Sequence, residues 1–306
     1  MKKIHKFMRK RPSLSIIVNF HNMQREGERT LYTLSTEYQN EVTEDSYEVI
    51  AIDNGSDYPL SEKFVKSFGK QFRYYYFNTN SLSPSKALNY GVKKARSKNL
   101  MFCIDGARML SPRIIKYTLD CFKACKNPFV YTIGFHIGNN IQNILVQDNY
   151  SSDEEDELLE SINWKSNGYK LFNISCLAAS AKEGFFSHIN ESNCFSINKK
   201  KKKKIGMYDE RFSSPGGGIV NLHIFNQILK CNHVKPILLL GEGTFHQFHG
   251  GVATNVKSKD HPWREMVKEY KSITNKEEFK SIQRQPFYYG KLCSESLPFA
   301  FSNNNK

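Results

Sequence analysis

No stretch of this 306-residue sequence approaches the roughly 20 consecutive apolar residues that a helix needs to cross a bilayer, so no transmembrane helix is expected. The basic start, MKKIHKFMRKRP, lacks an apolar h-region, and no signal peptide is expected either. Cysteines are present but unpaired in pattern: Cys103, Cys121, Cys125, Cys176, Cys194, Cys231 and Cys293 are odd in number and scattered. Cys121 and Cys125 stand one helical turn apart with no second cysteine or histidine pair nearby, so no cysteine metal site is predicted. Reduced thiols in a cytoplasmic compartment are the simplest account. Internal repeats and a clear linker are missing as well. What is there is 24% charged and 39% hydrophobic, a globular balance in a chain long enough to bury a sizeable core.

The charge is one-sided. A net charge of +14 points to an anionic partner. However, six of the positive charges form one run, Lys199 to Lys204, and several more sit in the first eleven residues. A basic lead-in and a solvated lysine face account for them, so no nucleic-acid partner is expected. Peripheral contact with an anionic inner membrane stays open.

Leu14 to Phe20, Tyr47 to Ile52 and Leu100 to Ile104 are short apolar runs suited to buried strands, and Phe72 to Phe77 is an aromatic one. Helical spacing fills the gaps at Gln24 to Gln39, Ser61 to Phe68, Lys86 to Ser97 and Pro112 to Ala124, the last with Ser111 as N-cap. This alternation predicts an α/β fold with a mostly parallel central sheet flanked by helices. The second half is less regular. Phe129 to Ile137 and Ile141 to Val146 read as a strand pair, and Ser151 to Leu159 as an acidic capped helix or a solvated loop. Cys176 to Ala181, Cys194 to Ile197 and Pro236 to Leu240 read as strands, Val220 to Leu229 and Pro262 to Tyr270 as helices, and Gly243 to Asn255 as a polar loop.

In an open α/β sheet, ligands collect beyond the carboxyl ends of the strands. Asp105 and Arg108 directly follow one such strand. Asp53 and Asp57 bracket Gly55-Ser56 after another, where an acid either contacts a base or ribose or closes an Asx turn. Lys86 and Asn89 share a helix face. Gly216, Gly217 and Gly218, before a helix, offer N–H groups to an anion or form only a mobile loop. His246 and His249 suit a metal, a phosphate or plain loop hydrogen bonding.

Taken in order, these stretches resemble the family 2 glycosyltransferases, inverting enzymes of the GT-A fold. LSIIVNFHN resembles the first strand and AIDNGSD the uridine-contacting acidic turn. Ser85 to Gly91 resembles the A-x-N-x-G helix, and FCIDGARMLSP stands at the D-x-D position. GMYDERF resembles the acceptor-side G-x-D-E-x-F segment, and PGGG the turn before the catalytic helix. The resemblance implies a Rossmann-like nucleotide-sugar half at 13–125 and an acceptor half at 126–255, between a basic lead-in at 1–12 and a C-terminal helical extension at 256–306.

Implied with it are a nucleoside diphosphate sugar donor, with UDP first, and a saccharide or lipid-linked acceptor. The donor-binding set would be Asn19, His21, Asp53, Lys86, Asn89, Asp105 and Arg108, with Gly216, Gly217 and Gly218 as an acceptor or phosphate loop. Two positions depart from the family pattern. The second acid of D-x-D is Ala107, so Mn²⁺ or Mg²⁺ would rest on Asp105 with His246 or His249, or Arg108 would supply the charge instead. Where the family carries Glu-Asp after the glycine turn, this chain has Ile219, Val220 and Asn221, none able to act as a base. Asp209, Glu210, His223 and His246 are then the candidates for the acceptor's proton. A degenerate domain that binds nucleotide sugar or glycan without transfer is the alternative.

Overall fold

The computed structural model describes residues 11–201 and 205–301; residues 1–10 of the basic lead-in and Lys202 to Lys204 of the lysine run lie outside the described residues. The apolar runs become β1 (Leu14–Phe20), β2 (Tyr47–Asp53) and, with the aromatic run, β3 (Phe72–Tyr76). Helices α1 (Gln24–Thr33), α2 (Glu62–Ser67) and α3 (Ser85–Lys94) alternate with them, and β4 (Asn99–Cys103) follows. β2 and β4 flank β1, and all four of these strands run parallel. Every residue of β1 and β2 is buried because helices cover both faces of the sheet. Ile17 packs with Ala87, Leu88 and Val92 of α3 on one face, while Ile16 and Val18 join Leu31 of α1 on the other.

A short β5 (Arg108–Leu110) leads to α4 (Ile114–Ala124) and then β6 (Pro128–Ile137). The second half adds β7 (Ser175–Leu177), β8 (Cys194–Asn198), β9 (Lys235–His246) and β10 (Phe287–Gly290). The sheet order is β10-β9-β6-β8-β4-β1-β2-β3, with β5 on β9 and β7 on β6. β8 is antiparallel to both β4 and β6, so two parallel blocks are joined by one reversed strand and the sheet is mixed.

Several local expectations change. Residues 141–146 form no strand: α5 (Gln142–Leu145) and a 3-10 turn replace it, and β6 takes β7 as its antiparallel neighbour instead. The acidic segment is helix α6 (Ser152–Glu160), closed by a Ser151–Glu154 capping box. Of the Cys176 to Ala181 stretch only Cys176 and Leu177 are extended, as part of β7, and a 3-10 turn follows. Ser111 does not cap α4; its hydroxyl donates to Glu242 of β9, whose carboxylate also accepts the Arg113 N–H at 3.1 Å. The chain then folds as α7 (Val220–Leu229) and α8 (Trp263–Thr274). Residues 256–306 hold the edge strand β10 as well as helix α8. Lys199, in the lysine run, turns inward and donates to the carbonyls of Val92 and Ala95 at the end of α3.

β9 runs six residues beyond the expected Leu240. Its register against β6 jumps from Tyr131–Leu238 to Ile133–Gly243, so four residues of β9 oppose one of β6. Gly241 makes that bulge, with φ of 72° and a position where a Cβ would lie 2.0 Å from the Lys291 carbonyl oxygen. Beyond the bulge the strand carries His246 to the sheet's ligand-facing end.

Candidate active site

At the tip of β4, Asp105 closes a tight turn in which its Oδ1 accepts the Ala107 N–H at 3.0 Å. Gly106 is required there: a Cβ would sit 2.3 Å from the Phe20 ring and 2.7 Å from the Asn19 carbonyl oxygen. Ala107, where the family pattern has a second acid, is fully buried. The turn delivers Arg108 onto β5, directly opposite His246 of β9, while His136 of β6 pairs with His246 from the other side.

Asp105 Oδ2 lies 3.0 Å from His246 Nε2 and 3.9 Å from His249 Nε2, and the two imidazole nitrogens are 3.2 Å apart. Gln142 settles the tautomer. Its Oε1 accepts the Asn255 amide N–H at 2.9 Å, and its Nε2 donates to the His246 carbonyl, so Oε1 can only accept from His246 Nδ1 at 2.7 Å. His246 therefore carries its proton on Nδ1, and its Nε2 lone pair faces a carboxylate oxygen and a second imidazole. Burial, with Arg108, pushes His246 down to about 4 against the pull of Asp105, so it is neutral at pH 7. Burial alone would raise Asp105, but His249, His246 and Arg108 outweigh it and hold the carboxyl well below its usual range. One anionic oxygen and two imidazole nitrogens converging at this range form a donor set for a divalent cation.

Arg108 adds fixed positive charge. It is 5% exposed, its Nε is 3.5 Å from Asp105 Oδ2, and neither Nε nor Nη1 has a hydrogen-bond partner among the described residues. A buried guanidinium with idle N–H groups is costly unless an anion completes it. The histidine loop is clamped from both sides. Phe248 N–H donates to Glu155 of α6 at 2.6 Å, its carbonyl accepts from Arg25 of α1 at 3.1 Å, and His249 N–H donates to Asn255.

These groups open into a cavity of about 460 Å³. Of the residues singled out from sequence, Asn19, His21, Asp105, Arg108, Gly216, Gly218, His246 and His249 line it. The others stand apart. Asp53 is fully buried and accepts the N–H groups of Ser56 and Leu60, so its carboxylate closes the turn. Lys86 is exposed on α3, and Asn89 donates to the Tyr208 carbonyl and to Glu210 at 2.8 Å. Asp209 pairs with Arg211, while His223 packs on the Phe212 ring beside a different cavity. Gly217 is buried outside the lining, and the N–H groups of Gly216 and Gly217 already bond the carbonyls of Leu82 and Ser214. Sequence reasoning missed Gln142 and Glu191, and named Asn221 only as unable to act as a base; Glu191 and Asn221 line the cavity. Gln142 was hidden by the mistaken strand, and Glu191 sits in an irregular stretch with no periodicity to read.

Residues 15–107 match the model of glycosyl transferase family 2. This stretch is similar to glycosyl transferase family 2, and the fold is GT-A. Among solved structures, S. aureus TarS is similar at 12% identity and TM-score 0.52, over 77% of this chain and 37% of that one. TarS 1–349 in complex with UDP is similar at 12% identity and TM-score 0.51, over 77% of this chain and 60% of that one. TarS 1–349 in complex with UDP-GlcNAc gives 12% and 0.51, over 87% of this chain and 68% of that one. The GT-A chain thus spans between 37% and 68% of the length of these neighbours. No curated protein matches the sequence. No helix among the described residues is long and apolar enough to cross a membrane.

Proposed function

We propose that this GT-A domain transfers a sugar, with inversion, from a nucleoside diphosphate donor to a hydroxyl of a saccharide or lipid-linked acceptor. The observation that carries this reading is the convergence of Asp105, His246 and His249 beside the idle N–H groups of Arg108. A departing diphosphate develops negative charge, and a site that presents a cation-binding trio next to a buried guanidinium is built to receive it. Asn19 and His21 line the same cavity on the donor side, and Asp53 acts through the turn it closes. Lys86 and Asn89 flank the donor half from α3. UDP is the first choice of nucleotide because the TarS neighbours were solved with UDP and UDP-GlcNAc.

Two imidazoles with one carboxylate suit Mn²⁺ better than Mg²⁺, which prefers oxygen ligands. Asp105, His246 and His249 would hold it, and when bound it supplies charge neutralisation to the diphosphate. Gln142 fixes the His246 ring, so Gln142→Leu is expected to weaken Mn²⁺ binding by about 10–100-fold and, by leaving the buried His246 Nδ1–H and carbonyl unpaired, to lower the thermal midpoint as well. Titration calorimetry with Mn²⁺ alone checks it. An acidic inner-membrane surface, met through the basic segments, and a cytoplasmic location complete the reading.

A second reading, a domain that binds donor without transfer, is favoured by one observation: Asp209, Glu210 and His223 do not line the cavity. Calorimetry of UDP, GDP and their sugars, with and without Mn²⁺, tests the first step common to both. Mn²⁺-dependent binding of one nucleotide family is expected; no binding of any would overturn both.

A further inference from the structure

The acceptor's proton needs a recipient, and the helix position where the family carries an acid is here Asn221. We propose that Glu191 takes that proton, with Asn221 holding its carboxylate in place, so that the base has moved from α7 to the segment before β8. This inference rests on the glycosyl-transfer reading.

The sheet register explains how Glu191 reaches the site. β8 is antiparallel to β4, with Cys194 opposite Cys103, so the residues just before β8 run beside those just after β4. The Ile104 N–H donates to the Asn193 carbonyl at 3.3 Å, which ties the two segments together. Glu191, Asn193 and Asn221 therefore line the cavity that holds Asp105 and Arg108. Arg108 feels the charge of Glu191 as well as that of Asp105.

Asn221 is 5% exposed and reaches from the first turn of α7. Its Nδ2 donates to Glu191 Oε2 at 2.8 Å and lies 3.3 Å from both the Ser192 carbonyl and Asn193 Oδ1. An amide donor orients a carboxylate without neutralising it, whereas a lysine or arginine would suppress its basicity. Two observations point to a missing polar ligand. Oδ1 of Asn221 and Oδ1 of Asn19 are buried, both on cavity-lining residues, and neither has a hydrogen-bond partner among the described residues. Acceptors of this kind suit the hydroxyl groups of a sugar. Glu191 itself is half-buried, open enough to meet an entering acceptor.

In the step assigned to Glu191, the hydroxyl proton passes to its carboxylate as the hydroxyl oxygen forms a bond to the anomeric carbon. The bond from that carbon to the diphosphate breaks, and its electron pair leaves on the phosphate oxygen. With water as the acceptor the same step releases free nucleoside diphosphate.

That water reaction provides the test. UDP release from UDP-glucose, UDP-galactose and UDP-N-acetylglucosamine is followed for the full chain with Mn²⁺, alongside calorimetric UDP affinity. Glu191→Gln is expected to slow release by about 10²–10⁴-fold, with UDP affinity retained. Glu191→Asp, which keeps a carboxylate, is expected to recover part of the rate. Equal release by wild type and Glu191→Gln would overturn the assignment alone, and so would a parallel loss of UDP affinity. If the wild type binds UDP but releases none from any of the three donors, the transfer reading falls and this assignment with it.

Discussion

Asp105→Asn is expected to lower Mn²⁺-dependent UDP affinity by at least about 100-fold and to abolish UDP release, with the fold intact. The substitution is a narrow one. Asn keeps an oxygen to accept the Ala107 N–H, so the turn at the tip of β4 survives. What it removes is the anionic oxygen 3.0 Å from His246 and 3.5 Å from Arg108. Losing a partner that only orients a ligand already costs 10–100-fold in metal affinity, and losing a ligand costs more, hence the figure of about 100-fold as a floor. Arg108 would remain as the cation facing the diphosphate, so residual metal-independent UDP binding is the expected remnant. Calorimetry with and without Mn²⁺ separates the two contributions, and a thermal melt confirms that the fold holds.

The largest stability effect is expected at Glu242. It is 1% exposed in the β9 bulge and accepts the Ser111 hydroxyl, the Arg113 N–H at 3.1 Å and the Tyr169 hydroxyl at 2.6 Å. Glu242→Ala strands the buried Ser111 hydroxyl, the half-buried Tyr169 hydroxyl and the Arg113 N–H just before α4, at roughly 1–3 kcal/mol per unsatisfied buried group. A total of about 4 kcal/mol, or a thermal midpoint lower by roughly 10 °C, is expected. The same group sets a pH dependence. Burial pushes Glu242 up to about 7, while an unfolded glutamate titrates near its ordinary value of 4.5. Between those values the folded chain holds the extra proton, so the stabilisation is full below about 4.5 and is lost as the pH rises to about 7, by ~3 kcal/mol for this group. Glu155, likewise buried and pushed up to about 7, adds to the slope. Urea midpoints at pH 5 and pH 7.5 check the direction, and Glu242→Gln is expected to flatten the curve by the share of one proton.

Much of the donor half was legible because its determinants are local. β1, β2 and β4 are continuous apolar runs, α2 follows directly on Ser61, and Asp105 stands where a strand tip must present it. The site's remaining parts depend on register between distant segments. His246 reads as a loop residue because nothing local reveals that a bulge at Gly241 lets β9 continue, yet that bulge is what sets His246 opposite Arg108. Ser111 has the chemistry of a helix cap, but a buried glutamate 131 residues away takes its hydroxyl and performs the capping instead. Glu191 enters the cavity only because β8 reverses direction against β4. Spacing along the chain cannot carry that information.

The central claim is that Asp105, His246, His249 and Arg108 form one centre for a metal-bound diphosphate. Crystals grown with UDP and Mn²⁺, measured at the manganese absorption edge, test it most directly. The expected result is an anomalous peak bonded to Asp105 Oδ2, His246 Nε2 and His249 Nε2, with the diphosphate reaching Arg108. UDP bound elsewhere, or a manganese peak away from those three atoms, would contradict it.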